Sequence, residues 1–584
     1  MNKAKYDGRE HPVRQVTDLK DIIVSSCSMF KDDTAFLEKD KPGGTFQPIS
    51  YAKVKDDVDA LGTKLMDMGL KGSKIAVVGE TSYHWFLTYF ATVCGVGVIV
   101  PLDKNLPQDE LKSLIERSHA KAIVFSKRME KTIKPLFDEP GEIEYFISMS
   151  ESENEKVLSL EHLIEEGNKL LGEGVRDFVD AEINPEEMAS LLFTSGTTGR
   201  SKGVMLSHKN IASNVVNVSK RVTLDKGCVV LSILPVHHTY ENTIDWVTIY
   251  QGRTIAVCEG IKYILKNMNE VKANCMVGVP LVFEKIFKGL MKQAEGRGEG
   301  EKVRNAIALS RRLKLYNNRS LIRKLFKPVH QAFGGGMQLF IAGGAAMDPE
   351  ITESFEAMGI PMIQGYGMTE YAPIIAVNQD NYSIARSVGR PMPETLVRID
   401  NADENGIGEI VVKGPSVMLG YYEDQEATDE VIEDGWLHTG DLGYLDSNDF
   451  LYLTGRKKTV IVTKGGKNIF PEEIEAVLKE NELIKETIVH GVTDNTVGNV
   501  IVTADIQPNY ELLEEQRGKM SSSDVYHFYR ELVDEINKTL PPYKAIKRIN
   551  IRENGFAMTT TGKVKRYGNF VEGAAEKGSP DFIE

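Results

Sequence analysis

A multidomain α/β fold is what the sequence predicts, and three observations carry the prediction. Apolar runs of strand length alternate with stretches of helical period through the first two thirds of the chain, the pattern of parallel sheets with helices on both faces. Several of those runs end in glycine-rich polar tails, as strands do where an open sheet presents its ligand-binding edge. From Gly455 onward the pattern changes to a small α+β unit. With 584 residues there is chain for more than one core, and the expected domains are 1–454 and 455–584.

In order along the chain, residues 1–50 are polar apart from a helical patch at 19–30 and read as an entry segment. Apolar residues recur at helical spacing over 51–70 and lead into a buried strand at 74–79. Residues 85–102, WFLTYFATVCGVGVIVPL, are uncharged and long enough to raise the question of a membrane span. Gly95 and Gly97 interrupt the run and Pro101 closes it, so a helix ending near Cys94 and a buried strand over 96–100 are expected instead. Another strand follows at 122–125, and 151–186 is an acidic, mostly helical excursion. A strand at 229–234 delivers Pro235-Val236-His237-His238-Thr239-Tyr240-Glu241. Strands at 339–342 and 361–363 end in Gly343-Gly344-Ala345-Ala346 and in Gln364-Gly365-Tyr366-Gly367-Met368-Thr369-Glu370, the two tails where a ligand is expected.

Composition narrows the functional classes. The formal charge of −14 argues against a nucleic-acid partner, whose phosphates need a basic surface. Five dispersed cysteines, nowhere spaced as Cys-x-x-Cys, suggest neither a zinc site nor a disulfide framework and fit a reducing cytoplasm. The first residues, MNKAKYDGREH, hold no apolar segment of the secretory kind. A basic helical stretch carrying Arg311, Arg312, Arg323 and Lys324 offers a peripheral contact to an anionic membrane. A solvated helix face is the favoured reading there. The expected location is cytoplasmic, with membrane contact no more than peripheral.

The chemistry concentrates in residues 191–206, LLFTSGTTGRSKGVML. Between two apolar runs stand Thr194-Ser195-Gly196-Thr197-Thr198-Gly199-Arg200-Ser201-Lys202-Gly203. Glycines let the backbone wrap an anion and point N–H groups at it, while the hydroxyls and cations supply further donors for a polyphosphate. No Gly-Lys-Ser/Thr follows Gly196 at the Walker offset. In Gln364–Glu370 an aromatic between glycines can lie flat against a base, the hydroxyl can donate to a phosphate, and the carboxylate can hold a hard cation. Asp441 closes Trp436-Leu437-His438-Thr439-Gly440-Asp441 and is shaped to accept from two vicinal ribose hydroxyls. The pair His237-His238 suggests a metal, but no third ligand accompanies it at suitable spacing, so metal binding is not expected there.

These motifs resemble, residue for residue and in order, the signatures of the adenylate-forming enzymes, the superfamily of acyl-CoA synthetases, luciferases and peptide-synthetase adenylation domains. The form PVHHTYE most resembles the long-chain fatty acyl-CoA synthetase branch. The resemblance implies a large N-terminal domain of two α/β subdomains plus a small β-barrel, and a mobile C-terminal α+β domain. It implies that Thr194, Ser195, Gly196, Thr197, Thr198, Gly199 and Lys202 hold the phosphates, and that Gly344, Ala345, Gln364, Gly365, Tyr366 and Gly367 line the nucleotide, with Tyr366 on adenine. Thr369 falls on the α-phosphate, Glu370 and Thr194 on magnesium, and Asp441 and Arg456 on the ribose. Lys563, in Thr561-Gly562-Lys563, matches the catalytic lysine, although Ala557-Met558 stand where the family usually has an upstream proline. His238 matches the histidine at the mouth of the carboxylate pocket, Lys458 the hinge, and Gly465-Gly466 the route of the thiol.

The implied reaction is ATP-dependent, magnesium-assisted conversion of a fatty acid to an acyl-adenylate with release of pyrophosphate, then transfer to coenzyme A. An acyl carrier protein as acceptor, and an aromatic or bile acid as substrate, remain alternatives. A nucleotide sensor without turnover is disfavoured by the joint presence of Lys563, Glu370 and Asp441.

Overall fold

Burial on both faces turns the apolar runs into parallel strands. The computed structural model describes residues 10–194, 201–462, 468–494, 499–557, 564 and 566. By its contacts the chain divides into two compact units: residues 1–397 with 412–437 and 447–451, and residues 398–411 with 438–446 and 452–584.

The first unit holds two large sheets. One has eight strands in the order Gly420–Tyr421, Lys202–Ser207, Met188–Thr194, Gly97–Leu102, Ser73–Val78, Ala120–Phe125, Tyr145–Ser148 and Val157–Ser159. Ala76, Val100, Ile123 and Phe125 point from its strands onto Leu111, Leu114 and Ile115 of the helix Gln108–Ser118. The other has nine strands, running from Arg390–Pro391 through Ile374–Val377, Met362–Gly367, Leu339–Ala342, Cys275–Gly278, Val229–Ser232, Thr254–Val257 and Thr34–Lys39 to Phe46–Ser50. Its core is aromatic, with Phe340 edge-on to both Phe333 and Phe355 at 5.5 and 5.2 Å between centroids.

The run that raised the membrane question is the buried helix Tyr83–Ala91, followed by a wide turn at Thr92–Val96 and the strand Gly97–Leu102. Phe90 of that helix meets Trp246 at 4.9 Å, so the aromatic surface serves the interior. Among the described residues no helix is long and apolar enough to cross a membrane. Pro101, expected to close the strand, lies inside it. It pairs with Val77 of Ser73–Val78, while the register with Met188–Thr194 is confined to Ile99 and Ser190. Two strands in the entry segment, Thr34–Lys39 and Phe46–Ser50, were not expected; they lie at one edge of the nine-stranded sheet, where the outer strand is too polar to read as buried.

A further sheet sets Gly408–Lys413, Trp436–Leu445 and Leu451–Arg456 side by side. Beyond them Ile484–Asp494 pairs antiparallel with Asn499–Pro508, which runs parallel to Ile546–Ile551. The helices Pro471–Lys479 and Ser522–Asn537 cover this sheet through Ile474, Leu478, Tyr529 and Val533. This is the α+β pattern read from the sequence after Gly455. All five cysteines are free thiols.

Candidate active site

The strands that flank the glycine-rich segment form a hairpin. Met188–Thr194 and Lys202–Ser207 pair antiparallel, the last pair being Thr194 with Lys202. The Thr194 hydroxyl donates to the Lys202 carbonyl at 3.5 Å, and Arg117 donates to the Ser201 carbonyl at 2.8 Å, so the base of the loop is fixed from both arms. Ser195, Gly196, Thr197, Thr198 and Gly199 lie outside the described residues. The hairpin runs straight into the helix His208–Arg221, whose start is locked by a reciprocal cap between Ser207 and Asn210. Further along the same face, Asn214 brackets Ile374, donating to its carbonyl at 3.0 Å and accepting from its N–H at 3.2 Å. A buried asparagine thus ties the hairpin's helix to the strand that follows Glu370.

Tyr421 completes this group. The strand Gly420–Tyr421 adds to the outer edge of the hairpin, pairing Tyr421 with Val204. Its ring carries the Lys202 ammonium at 4.6 Å from the centroid, and its hydroxyl donates to Glu370 Oε1 at 2.9 Å. Burial and then the Glu370 charge hold the phenol far above its usual pKa, so it remains a donor. Glu370 and Thr369 sit on a single tight turn, Thr369–Tyr371, and the Thr369 hydroxyl lies 3.4 Å from that of Thr239. The loop lysine and the candidate metal carboxylate therefore meet on one tyrosine. The sequence reading did not single it out.

Two further strand ends supply the floor. After Leu339–Ala342 the chain turns at Gly343, where a Cβ would stand 2.6 Å from the Tyr240 ring, so only glycine fits. Gly344 and Ala345 follow with exposed backbone. In Met362–Gly367, Tyr366 pairs with Ala376 and is buried. A Cβ on Gly367 would meet the Pro373 carbonyl at 1.9 Å, so the aromatic is held between backbones at close approach. Gly365 has more room, its imagined Cβ being 3.5 Å from the Ala376 carbonyl. Gln364 is engaged within the protein: its amide accepts from the Met347 N–H at 3.2 Å and donates to the Ala385 carbonyl at 2.6 Å. Its backbone carbonyl accepts from the Asn378 N–H at 2.9 Å, so side chain and backbone together order the floor.

The rings of His237 and His238 lie tilted against each other at 4.2 Å between centroids just before the helix Thr239–Tyr250. Along the sequence no third donor stands at suitable spacing, and the fold adds a carboxylate beside the pair. Asp103, following the strand Gly97–Leu102, brings its Oδ2 to 3.4 Å from His237 Nε2. Spacing along the chain could not reveal this, because the aspartate comes from the other sheet.

In the second unit, Asp441 and Arg456 form an ion pair, Oδ1 to Nε at 3.1 Å, the carboxylate mostly covered and the guanidinium mostly exposed. The Asp441 N–H donates to its own turn through Thr439 Oγ1 at 3.1 Å. Glu409 lies beneath, within 2.7 Å of Lys457 and 3.3 Å of His438. Burial pushes the Glu409 carboxyl up, and the hydrogen bonds from Lys457 and His438 outweigh it, holding the group below the usual carboxylate range. Lys458 lies exposed in the turn after Leu451–Arg456, and Thr459 bonds to Glu472 at 3.0 Å just beyond. Gly465, Gly466 and Lys563 lie outside the described residues. Arg566, three residues past that lysine, is anchored by both Glu475 oxygens at 2.7 Å and by the Val489 carbonyl at 3.2 Å.

Comparison with known proteins gives the following. Residues 24–422 match the model of the AMP-binding enzyme family, and residues 458–570 match its C-terminal domain. The long-chain-fatty-acid--CoA ligase FadD15 of Mycobacterium bovis is 26% identical over 552 residues, covering 90% of each chain. The chloroplastic long-chain-fatty-acid--[acyl-carrier-protein] ligase AEE15 of Arabidopsis thaliana is 25% identical over 625 residues, covering 94% of this chain and 84% of its own. In structure, the o-succinylbenzoate CoA synthetase of Bacillus subtilis in complex with its acyl-adenylate superposes with a TM-score of 0.71 at 20% identity, over 93% and 96% of the two chains.

Proposed function

The chain belongs to the family of AMP-binding enzymes, and on that footing we propose that it is an AMP-forming acyl-CoA ligase acting on medium-to-long fatty acids. The observation that carries the reading is the group Lys202–Tyr421–Glu370, which puts a phosphate-seeking ammonium and a carboxylate on one rigid support. The physical logic of the reaction calls for such a group. A carboxylate is a poor acyl donor because its leaving group would be oxide. Attack of the carboxylate oxygen on the α-phosphorus of ATP expels pyrophosphate and leaves AMP as the leaving group of the mixed anhydride. Attack of the coenzyme A thiol then releases AMP.

The two anionic reactants repel each other, so cations must offset the charge in the transition state. In this reading Lys202 and the hairpin loop hold the β and γ phosphates, Tyr366 lies against adenine, and Asp441 with Arg456 takes the ribose. Lys563 bridges the attacking carboxylate and the α-phosphate. Thr194 and Glu370 are hard oxygen donors of the kind magnesium prefers, and the Tyr421 hydrogen bond fixes the carboxylate in place. Magnesium there would supply further neutralisation of the phosphates. A C-terminal part beginning near 455 moves about Lys458 between the two half-reactions.

Pyrophosphate release with a panel of carboxylates tests the reading, from acetate through long fatty acids to aromatic and bile acids. Affinity should rise by up to ~0.8 kcal/mol per methylene buried in an apolar tunnel. A peak at acetate, or turnover of aromatic acids alone, overturns the substrate class. Coenzyme A set against a phosphopantetheinylated carrier protein then identifies the thiol.

A further inference from the structure

We propose that Asp103, His237 and His238 form a site for a divalent transition ion of the zinc class, separate from any magnesium that accompanies the nucleotide. One ligand atom from each residue lies within 4.8 Å of the other two. Asp103 leaves the end of a strand in the eight-stranded sheet, and the histidines follow Val229–Ser232 in the nine-stranded one. The cluster therefore exists only because the fold brings two carboxyl-end loops together.

One edge of the cluster has the length that a tetrahedral ion requires. Zinc bonds of about 2.0–2.1 Å to nitrogen and oxygen put neighbouring ligands about 3.3–3.4 Å apart. His237 Nε2 and Asp103 Oδ2 stand 3.4 Å apart. The aspartate is also held as metal-binding carboxylates are, by partners outside the site: its other oxygen, Oδ1, accepts from the Asn105 N–H at 2.8 Å and from the Asn105 amide at 3.1 Å. Oδ2 is thereby aimed at the imidazole. Two imidazoles and one carboxylate select zinc, cobalt, nickel or copper over magnesium, which prefers all-oxygen surroundings. Asp103 is buried, and His237 Nε2 and His238 Nε2 are covered from solvent although both rings are partly exposed. Three protein ligands leave a fourth position open to water or to an incoming carboxylate.

The competing account is an aspartate–histidine ion pair that needs no ion. Stripping the full chain of metal and titrating it with Co²⁺ separates the two, because tetrahedral cobalt gives an intense visible absorption that octahedral cobalt lacks. One equivalent of tetrahedral Co²⁺ is expected, displaced by one equivalent of Zn²⁺ and not by excess Mg²⁺. Asp103→Asn and His237→Gln should abolish the band. Asn105→Ala, which leaves all three ligands in place, should weaken binding by about 10–100-fold. Circular dichroism establishes that each variant is folded, and Asn105→Ala keeps the test decisive if the ligand variants are not. No tetrahedral band in the wild type, or a band that survives both ligand substitutions or is unchanged in Asn105→Ala, overturns the site. The readout is binding and does not depend on the acyl-activating reading.

Discussion

The Tyr421 hydroxyl donates to Glu370 Oε1 at 2.9 Å across 51 positions of chain, and the same ring supports the Lys202 ammonium. A hydrogen bond to a charged group is worth about 1.5–3 kcal/mol. Removing this one leaves the carboxylate free to turn away from the phosphates.

Tyr421→Phe should therefore lower fatty-acid-dependent pyrophosphate release by about ten- to a hundredfold at limiting magnesium, with part of the loss recovered at high magnesium. Glu370→Gln should lose more and recover less, because the donor of the metal bond itself is gone. Magnesium titrations of both variants check this. An unchanged magnesium dependence in Glu370→Gln removes the carboxylate from the metal.

Lys563→Ala should slow adenylate formation by about a hundredfold or more, as loss of other electrostatic stabilisers does. Supplied with preformed acyl-adenylate and coenzyme A, the same variant should still make thioester. Equal loss in both half-reactions would make the lysine structural.

Lys458→Pro tests the hinge. Adenylation needs Lys563 over the phosphates, whereas the pantetheine arm needs an open route, and one arrangement cannot serve both. Proline fixes φ near −65° and restricts the torsion a hinge must change. The variant should release pyrophosphate from ATP and fatty acid but transfer little acyl group to coenzyme A. Thioester formation at the wild-type rate would place the pivot elsewhere.

Glu241 and Asp245 lie one turn apart on the buried helix Thr239–Tyr250. Burial raises the Glu241 carboxyl from 4.5 to about 8, and burial together with the Glu241 charge raises Asp245. The folded state thus binds protons that the unfolded state has already released. Stability contributed by this pair is present at acid pH and declines as pH rises from about 4.5 through about 8. Asp245→Asn should flatten that decline and raise the denaturation midpoint at pH 8 relative to wild type. Denaturant titrations across this range measure it; parallel curves would mean the carboxyls are not protonated in the fold.

Local pattern revealed most of the fold. Helix and strand periods, the glycine tails after 342 and 363, and the change of style after Gly455 all have counterparts in the structure. What stayed hidden is what arrives from a distance. Tyr421 belongs to a two-residue strand with no periodicity of its own, and its role comes from pairing with Val204. Asp103 stands far in sequence from His237, so no spacing rule could join them. Asn214 had a weak signal: with Asn210 and Asn217 it places three buried amides on one side of an amphipathic helix, more than an apolar core alone calls for.

The pairing of Thr34–Lys39 with Thr254–Val257 has a consequence for how the chain is made. The two strands lie 220 positions apart, and the first has only its hairpin partner Phe46–Ser50 until the second has left the ribosome. At roughly 5–20 residues per second that delay is about 10–45 s. Phe86 and Phe90 can reach Phe36 early in that interval, but its strand neighbour Ile255 cannot. The nascent chain therefore carries an incomplete sheet edge for about half of the first unit's synthesis, and a chaperone that shields apolar strand edges would find its opening there, before any nucleotide could be bound.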